Sequence, residues 1–228
     1  LLILSPVAAL SLPDILSAIL AAVAAAIRSA SPLEVAGVLT GVACVWLAAR
    51  NSIWNFPIGI LNGVLYMAVF WQSRLYSDAG LQLAFIALLL YGWARWLRGN
   101  AAAEAAPLPI TRTPPRLAAG LLGAGLLYAL VAGFLFSTRT DAALPYWDST
   151  TTAISLAAQL LLSRRHLENW LLWVGVDVAY VGMYWHRDLF LTSGLYVIFL
   201  GLAAYGYWQW RREMRAAAGT VTASQGGA

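Results

Sequence analysis

The chain reads as an all-α membrane protein: seven transmembrane helices, as two parallel three-helix bundles joined by a linker helix (3+1+3), plus a short N-terminal interfacial helix. Three observations carry this. Hydrophobic residues make up 61% of the 228 positions and charged residues 11%, against roughly 45–50% and about 25% in soluble chains. Several stretches come close to the ~20 mainly apolar residues that a spanning helix needs. Residues Trp54–Arg98 also recur at Glu168–Arg212, 114 positions on and without a gap. Asn55/Asn169, Tyr66/Tyr180, Trp71/Trp185, Gly80/Gly194, Tyr91/Tyr205, Gly92/Gly206, Trp96/Trp210 and Arg98/Arg212 all fall into that register.

Taken in order, residues 1–30 hold Leu12–Ile27, which opens with Pro13 and Asp14 as helix starts do. At about 15 residues it is short for a span and reads as an interfacial helix. No basic stretch precedes it, so a cleaved signal peptide is not expected. The first bundle, 31–98, contains spans at 33–49, 54–72 and 78–97. Residues 99–140 form a loop rich in Ala and Pro, with Pro107, Pro109, Pro114 and Pro115, followed by a linker span at 117–137. That span carries Gly120, Gly123, Gly125 and Gly133 and few polar groups, as a connector packed against protein would. The second bundle, 141–212, contains spans at 145–163, 168–185 and 189–210. Residues 213–228 are expected to be a disordered tail.

Arginine placement sets the orientation. One side of the membrane would hold Arg28, Arg74, Arg139 and Arg187; the other would hold the remaining ten arginines. Positive charge near span ends marks the cytoplasmic side, so a multi-pass protein of the cell inner membrane is expected, N-terminus outside and C-terminus cytoplasmic. Two three-helix repeats joined directly would be mutually inverted. The extra linker span restores parallel orientation.

Composition also excludes. All 14 basic residues are Arg, so neither a Schiff-base lysine nor a phosphate-loop lysine is available. One cysteine, Cys44, cannot form an intrachain disulfide and reads as a buried thiol. His166 and His186 sit in expected loops without metal-ligand spacing, so solvation is the plain reading and no metal or cofactor is expected. No nucleophile–base pair can be placed, which argues against an enzyme, and nothing suggests nucleic acid.

Polar groups inside spans are costly and usually face a bundle interior or a cavity. Asp148, Thr152, Ser155 and Gln159 share one face of the fifth span. Trp170, Trp173, Asp177, Tyr180 and Tyr184 share a face of the sixth, headed by Asn169. The second span offers Asn55, Asn62, Gly59, Gly63 and Tyr66, with Gly63 in register with Asp177. In the third, Asp78 reads as a cap, and Gln82 lies a turn deeper, in register with Tyr196. Each group has a structural reading: Asn at helix starts caps, Ser and Thr pack helices, and end-of-span Trp185, Trp96 and Trp210 belong to an interfacial belt. Together, amides, hydroxyls, a carboxylate and aromatic faces suit a polar passenger, uncharged or cationic and partly aromatic. No basic residue lies deep in a span to meet a phosphate. A duplicated membrane bundle with such an inventory implies a transporter with its site between the halves.

The strings Trp54-Asn55-Phe56-Pro57-Ile58-Gly59, Tyr76…Asp78…Leu81-Gln82 and Tyr91-Gly92-Trp93 resemble the PnuC family of nicotinamide riboside transporters. So do Trp147-Asp148, Ala158-Gln159-Leu160-Leu161, Glu168-Asn169-Trp170-Leu171-Leu172-Trp173 and Asp177. The resemblance covers about residues 33–212 and implies a SWEET-like 3+1+3 plan, import of nicotinamide riboside by facilitated diffusion, trapping by cytoplasmic phosphorylation, and a homotrimer in the lipid bilayer. It implies that Trp170 or Trp173, helped by Tyr180, stacks on the pyridinium. Asn55, Gln82, Gln159 and Asn169 would bond the ribose and carboxamide, and Asp177 would complement the positive ring or hold a partner side chain in place. Rival readings are a permease of the same scaffold for thiamine, riboflavin or a sugar, and the substrate-binding subunit of an ATP-driven vitamin transporter.

Overall fold

A computed structural model describes residues 31–72, 76–102, 108–140, 144–186 and 190–225. The interfacial helix expected within residues 1–30 lies outside them. Seven helices make up the described chain: α1 (Pro32–Ala49), α2 (Asn55–Gln72), α3 (Tyr76–Ala102), α4 (Pro115–Arg139), α5 (Pro145–Ser163), α6 (Asn169–His186) and α7 (Phe190–Gln225). Local chemistry starts them. Ser31 and Glu34 form a reciprocal capping box ahead of Pro32, and Pro115 and Pro145 open α4 and α5 at positions where no backbone donor is needed. Asp78 falls in the first turn of α3 rather than at its cap; a negative charge there still complements the helix dipole.

Three helical segments, Pro32–Ala49, Asp78–Gly99 and Pro115–Arg139, are long and apolar enough to cross a membrane by length and composition. The other four are diluted by the amides, Asp177 and the Tyr and Trp residues they carry. Large apolar side chains cover the outer surface, including Leu39, Leu61, Leu83, Leu122, Leu127, Val178 and Ile198. Water would not tolerate apolar area on that scale; lipid would.

Helix α1 packs on α2 and α2 on α3; α5 packs on α6 and α6 on α7. The two groups meet through α3 against α5 and α1 against α7. Helix α4 packs on α5, with Tyr146 seated against Gly133, but Gly120 and Gly123 have open space where a side chain would stand. The connector does pack against protein, along one side, and Leu122 on its other side is 75% exposed. Two further expectations change. The tail expected to be disordered from residue 213 continues α7 as far as Gln225, because Glu213-Met214-Arg215-Ala216-Ala217-Ala218 are all strong helix formers. Trp96 and Trp210 are fully buried rather than interfacial, while Trp185 is exposed as a belt residue would be.

The duplication is visible as repeated geometry. Asn51 and Arg165, 114 residues apart, are the two non-glycine residues with positive φ among those described, at 56° and 57°; both lie in the turn between a repeat's first and second helices. Asn55 Nδ2 donates to the Ser52 carbonyl at 2.6 Å, and Asn169 Nδ2 to the His166 carbonyl at 2.7 Å. Phe56 meets Trp96 edge-to-face at 4.9 Å, and Trp170 meets Trp210 the same way at 5.6 Å. A Cβ at Gly92 would collide with Phe56 and Ser163, and one at Gly206 with the Trp170 ring at 2.6 Å. Glycine is required at both so that the third helix can close on an aromatic ring of the second.

The segment before α4 is tied to the turn before α6. Thr111 N–H donates to Arg165 O at 3.0 Å and Leu167 N–H to Thr111 O at 2.9 Å. Glu168 accepts from Arg112 at 3.1 Å and from Thr113 N–H and Oγ1, each at 2.8 Å. Burial alone would raise the Glu168 carboxyl, but these donors outweigh it and hold it below the ordinary carboxylate value. His166 is half-buried and bonded to Thr111 Oγ1 at 3.0 Å, not a solvated loop residue. Burial lowers its proton affinity first; Arg164 and Arg95 add to this, against Glu168.

Candidate functional site

A cavity of about 420 Å³ lies between the two helical groups. From α1 it takes Gly37, Gly41 and Cys44; from α2, Asn55, Asn62 and Tyr66; and from α3, Gln82. From α5 it takes Thr152, Ser155 and Gln159; from α6, Trp170, Trp173, Asp177 and Tyr180; and from α7, Tyr196 and Phe199. Each group contributes one face of each helix, which is why helical periodicity in the sequence found them.

Small residues make the space. Gly37 leaves room for the Tyr66 ring, and Gly59 for Cys44 and Leu89. Cys44 Sγ donates to the Asn55 carbonyl at 3.3 Å, so the thiol is held in the wall. Asn62 is anchored to the Gly37 carbonyl at 2.6 Å and to Thr40 Oγ1 at 3.0 Å. On the other side Tyr180 donates to Thr151 Oγ1 at 3.1 Å, and its ring stands 4.8 Å from Tyr196 and 5.8 Å from Tyr184. Tyr196 in turn lies 5.4 Å from Tyr184 and 5.9 Å from Phe199. The second repeat thus offers a wall of phenol rings.

Of the eight residues marked by sequence, Asn55, Gln82, Gln159, Trp170, Trp173, Asp177 and Tyr180 line the cavity. Asn169 does not. It is fully buried, its Nδ2 donates to the His166 carbonyl in the α5–α6 turn, and its Oδ1 has no partner among the described residues. Its repeat mate Asn55 makes the same turn contact yet still borders the cavity. Asp148 stands at the exposed start of α5, off the cavity that Thr152, Ser155 and Gln159 line. Sequence reasoning left Tyr196, Phe199 and Thr152 off the site; Tyr196 was signalled only by its register with Gln82.

Trp170 and Trp173 differ in what they can do. Trp170 is 1% exposed, clamped between Gly206 and Trp210. Trp173 is half-buried and keeps part of its ring open. Several buried polar atoms along the cavity have no partner: Asn55 Oδ1, Gln159 Nε2 and Trp170 Nε1. Unanswered buried donors and acceptors are expensive, and these three belong to residues that line the cavity. Among the described residues, Asp177, 5% exposed, is the one charged side chain in the lining, and no Arg, Lys or His joins it there. Among the described residues, no cluster of His, Cys, Asp or Glu could hold a metal.

A largely apolar cavity studded with amides, hydroxyls and one carboxylate, at the seam of two repeated helical groups inside an apolar exterior, is what a membrane transporter needs. The profile described as "Nicotinamide mononucleotide transporter" matches residues 31–212, and the chain belongs to that family. It is 30% identical over 206 residues to the nicotinamide riboside transporter PnuC of Escherichia coli K12, covering 80% of this chain and 86% of that one. It is 24% identical over 187 residues to the riboflavin/roseoflavin transporter RibM of Streptomyces davaonensis, covering 80% and 87%. A solved structure described as the vitamin B3 transporter PnuC superposes with a TM-score of 0.67 at 24% identity, over 88% of this chain and 90% of that one. The fold is therefore shared.

Proposed function

We propose that this chain imports nicotinamide riboside by facilitated diffusion, the two halves rocking alternately about the cavity. The observation that carries this is the lining: one carboxylate, several amides and hydroxyls, open aromatic faces and no cationic side chain. The riboside has a positive pyridinium, a carboxamide and ribose hydroxyls. Trp173, helped by Tyr180, offers a face to the pyridinium, and Asp177 offers the opposite charge. Asn55, Gln82 and Gln159 bond the ribose and carboxamide, and Trp170 forms the floor. A mononucleotide would bring a phosphate that nothing in this lining could neutralise. This favours the riboside over its phosphate ester and makes cytoplasmic phosphorylation an effective trap.

The 3+1+3 reading supplies the mechanics: residues 31–98 and 141–212 as parallel three-helix units joined through α4, in a trimer as the family resemblance implies. The arginine-rich end, with both third-helix ends, faces the cytoplasm of an inner membrane. Equilibrium binding of nicotinamide riboside to wild type, Gln159→Ala and Trp173→Ala tests the site. Unchanged affinity in both variants would remove it. Uptake into liposomes without ATP, with the mononucleotide, thiamine and riboflavin as competitors, tests the cargo. Block by riboflavin but not by unlabelled riboside would move the chain to the RibM-like reading.

A further inference from the structure

The repeats differ at one address on the arginine-rich end. In one copy Glu213 of α7 accepts from Asn51 Nδ2 at 3.0 Å and from Gln209 Nε2 at 2.9 Å, so polar groups there are satisfied within the chain. Subtracting the 114-residue repeat turns Glu213 into Gly99 and Gln209 into Arg95, while Asn51 corresponds to Arg165. The other copy therefore gains positive charge and loses the acid that would answer it.

That address holds a cavity of about 380 Å³, lined by Tyr91, Ala94, Arg95, Arg98, Gly99 and Leu108. Arg95 and Arg98 project from α3 and are exposed. Arg164, from the end of α5, stands with its guanidinium carbon 6.0 Å from the Tyr91 ring centroid, and its Nε is buried without a partner. Arg165 is already engaged, with the Leu108 carbonyl and with the Trp96 ring at 3.9 Å. Among the described residues the one ion pair is Arg112–Glu168, so no described carboxylate engages Arg95, Arg98 or Arg164.

We propose that this cavity binds a phosphate group, gripped by Arg95 and Arg98 from α3 and by Arg164 from α5. Guanidinium forks match phosphate oxygens two at a time and give up their hydration readily. Gly99 brings no carboxylate where its repeat mate does, and the Leu108 side chain packs over that position. The same chemistry is presented by the phosphodiester of an anionic lipid headgroup and by free phosphate. The arginine-rich boundary of a membrane protein meets both. An occupant would join α3 to α5 and so brace the two halves at this end. The site is separate from the cavity proposed for transport and does not depend on which solute is carried.

The test is thermal unfolding of the purified chain in nanodiscs, in two arms. Phosphatidylcholine discs receive inorganic phosphate or chloride at matched ionic strength; phosphatidylglycerol discs receive neither addition. We expect the wild-type midpoint to rise in at least one arm. A phosphate response identifies free phosphate, and a response to phosphatidylglycerol alone identifies the headgroup. Arg95→Gln installs the residue its repeat mate carries, and with Arg98→Gln should weaken binding at least about ten-fold while riboside binding stays intact. If the double variant does not fold, Arg95→Gln alone and native mass spectrometry of retained lipid or phosphate give the readout. No wild-type response in either arm, or an undiminished response in the variants, overturns the proposal. So does a response seen only in Glu104→Gln, which would mean that the chain supplies its own anion.

Discussion

Trp96 and Trp210 stand 6.3 Å apart, centroid to centroid, and each donates its indole N–H across the seam. Trp96 Nε1 reaches the Ser163 carbonyl at 3.2 Å and Trp210 Nε1 reaches the Ala48 carbonyl at 3.0 Å. Each acceptor lies at the C-terminal end of the other half's first helix, where carbonyls lack intrahelical donors. The third helix of one half thus caps the first helix of the other, twice.

Either Trp96→Phe or Trp210→Phe should therefore lower unfolding stability by about 1 kcal/mol for the lost bond, with more for the volume removed. Because the rings touch, the double variant should be non-additive. Denaturation in detergent of the four members of the cycle measures this. Strict additivity would show that the two caps act independently.

Gly206→Ala should be among the most disruptive small changes in the chain. The added carbon would meet the Trp170 ring at 2.6 Å, and that ring is already clamped by Trp210. Overpacking of this kind costs about 1–3 kcal/mol. Gly175→Ala, where a side chain would meet open space, is the control, and its melting midpoint should stay near that of wild type.

Asp177→Asn keeps the shape of the cavity and removes its only charge. At a partly dried site a single opposite charge is worth a few kcal/mol at most, so affinity for the cationic riboside should fall about ten- to a hundred-fold. The dihydro form of the nucleoside, whose ring is uncharged, should bind the variant and wild type alike. Titration calorimetry with both compounds decides it, and equal losses for the two would remove the charge-pairing role.

Stability should depend on pH at the arginine-rich end. Glu168 and His166 both have folded-state proton affinities below their ordinary values of 4.5 and 6.5. The unfolded chain therefore binds more protons, and their contribution is fully present above those ordinary values. It is lost as pH falls through the folded ones. The melting midpoint should be flat above about pH 7 and fall in two stages below it. Glu168→Gln should remove the lower stage and carry the upper one to lower pH, because the Glu168 charge raises the proton affinity of His166. Persistence of the lower stage in that variant would assign it to other carboxylates.

Helix positions were legible because mainly apolar runs of about span length are set off by loops that announce themselves with Pro, Arg and Asn. The faces of α5 and α6 were legible because polar groups at three- and four-residue spacing stand out against Leu and Ala. Burial across the seam was not. Trp96 and Trp210 look like any tryptophan at a span end until α1 and α5 close over them. Asn169 and Asn55 are one residue type in one local geometry, so nothing in the local sequence tells which of them borders the cavity. The extension of α7 was hidden because an Ala-rich terminus reads as low complexity while also favouring helix.

Phe56 opposite Trp170, and Gly63 opposite Asp177, have one more effect. A cavity built from two identical copies would accept an asymmetric solute in two poses of equal energy, related by exchanging the halves. The differences between these pairs lift that degeneracy. Every passenger then meets the same half with the same end, so the two halves are no longer interchangeable parts. On the proposed reading, the aromatic wall of the second half would receive the ring in every turn of the cycle.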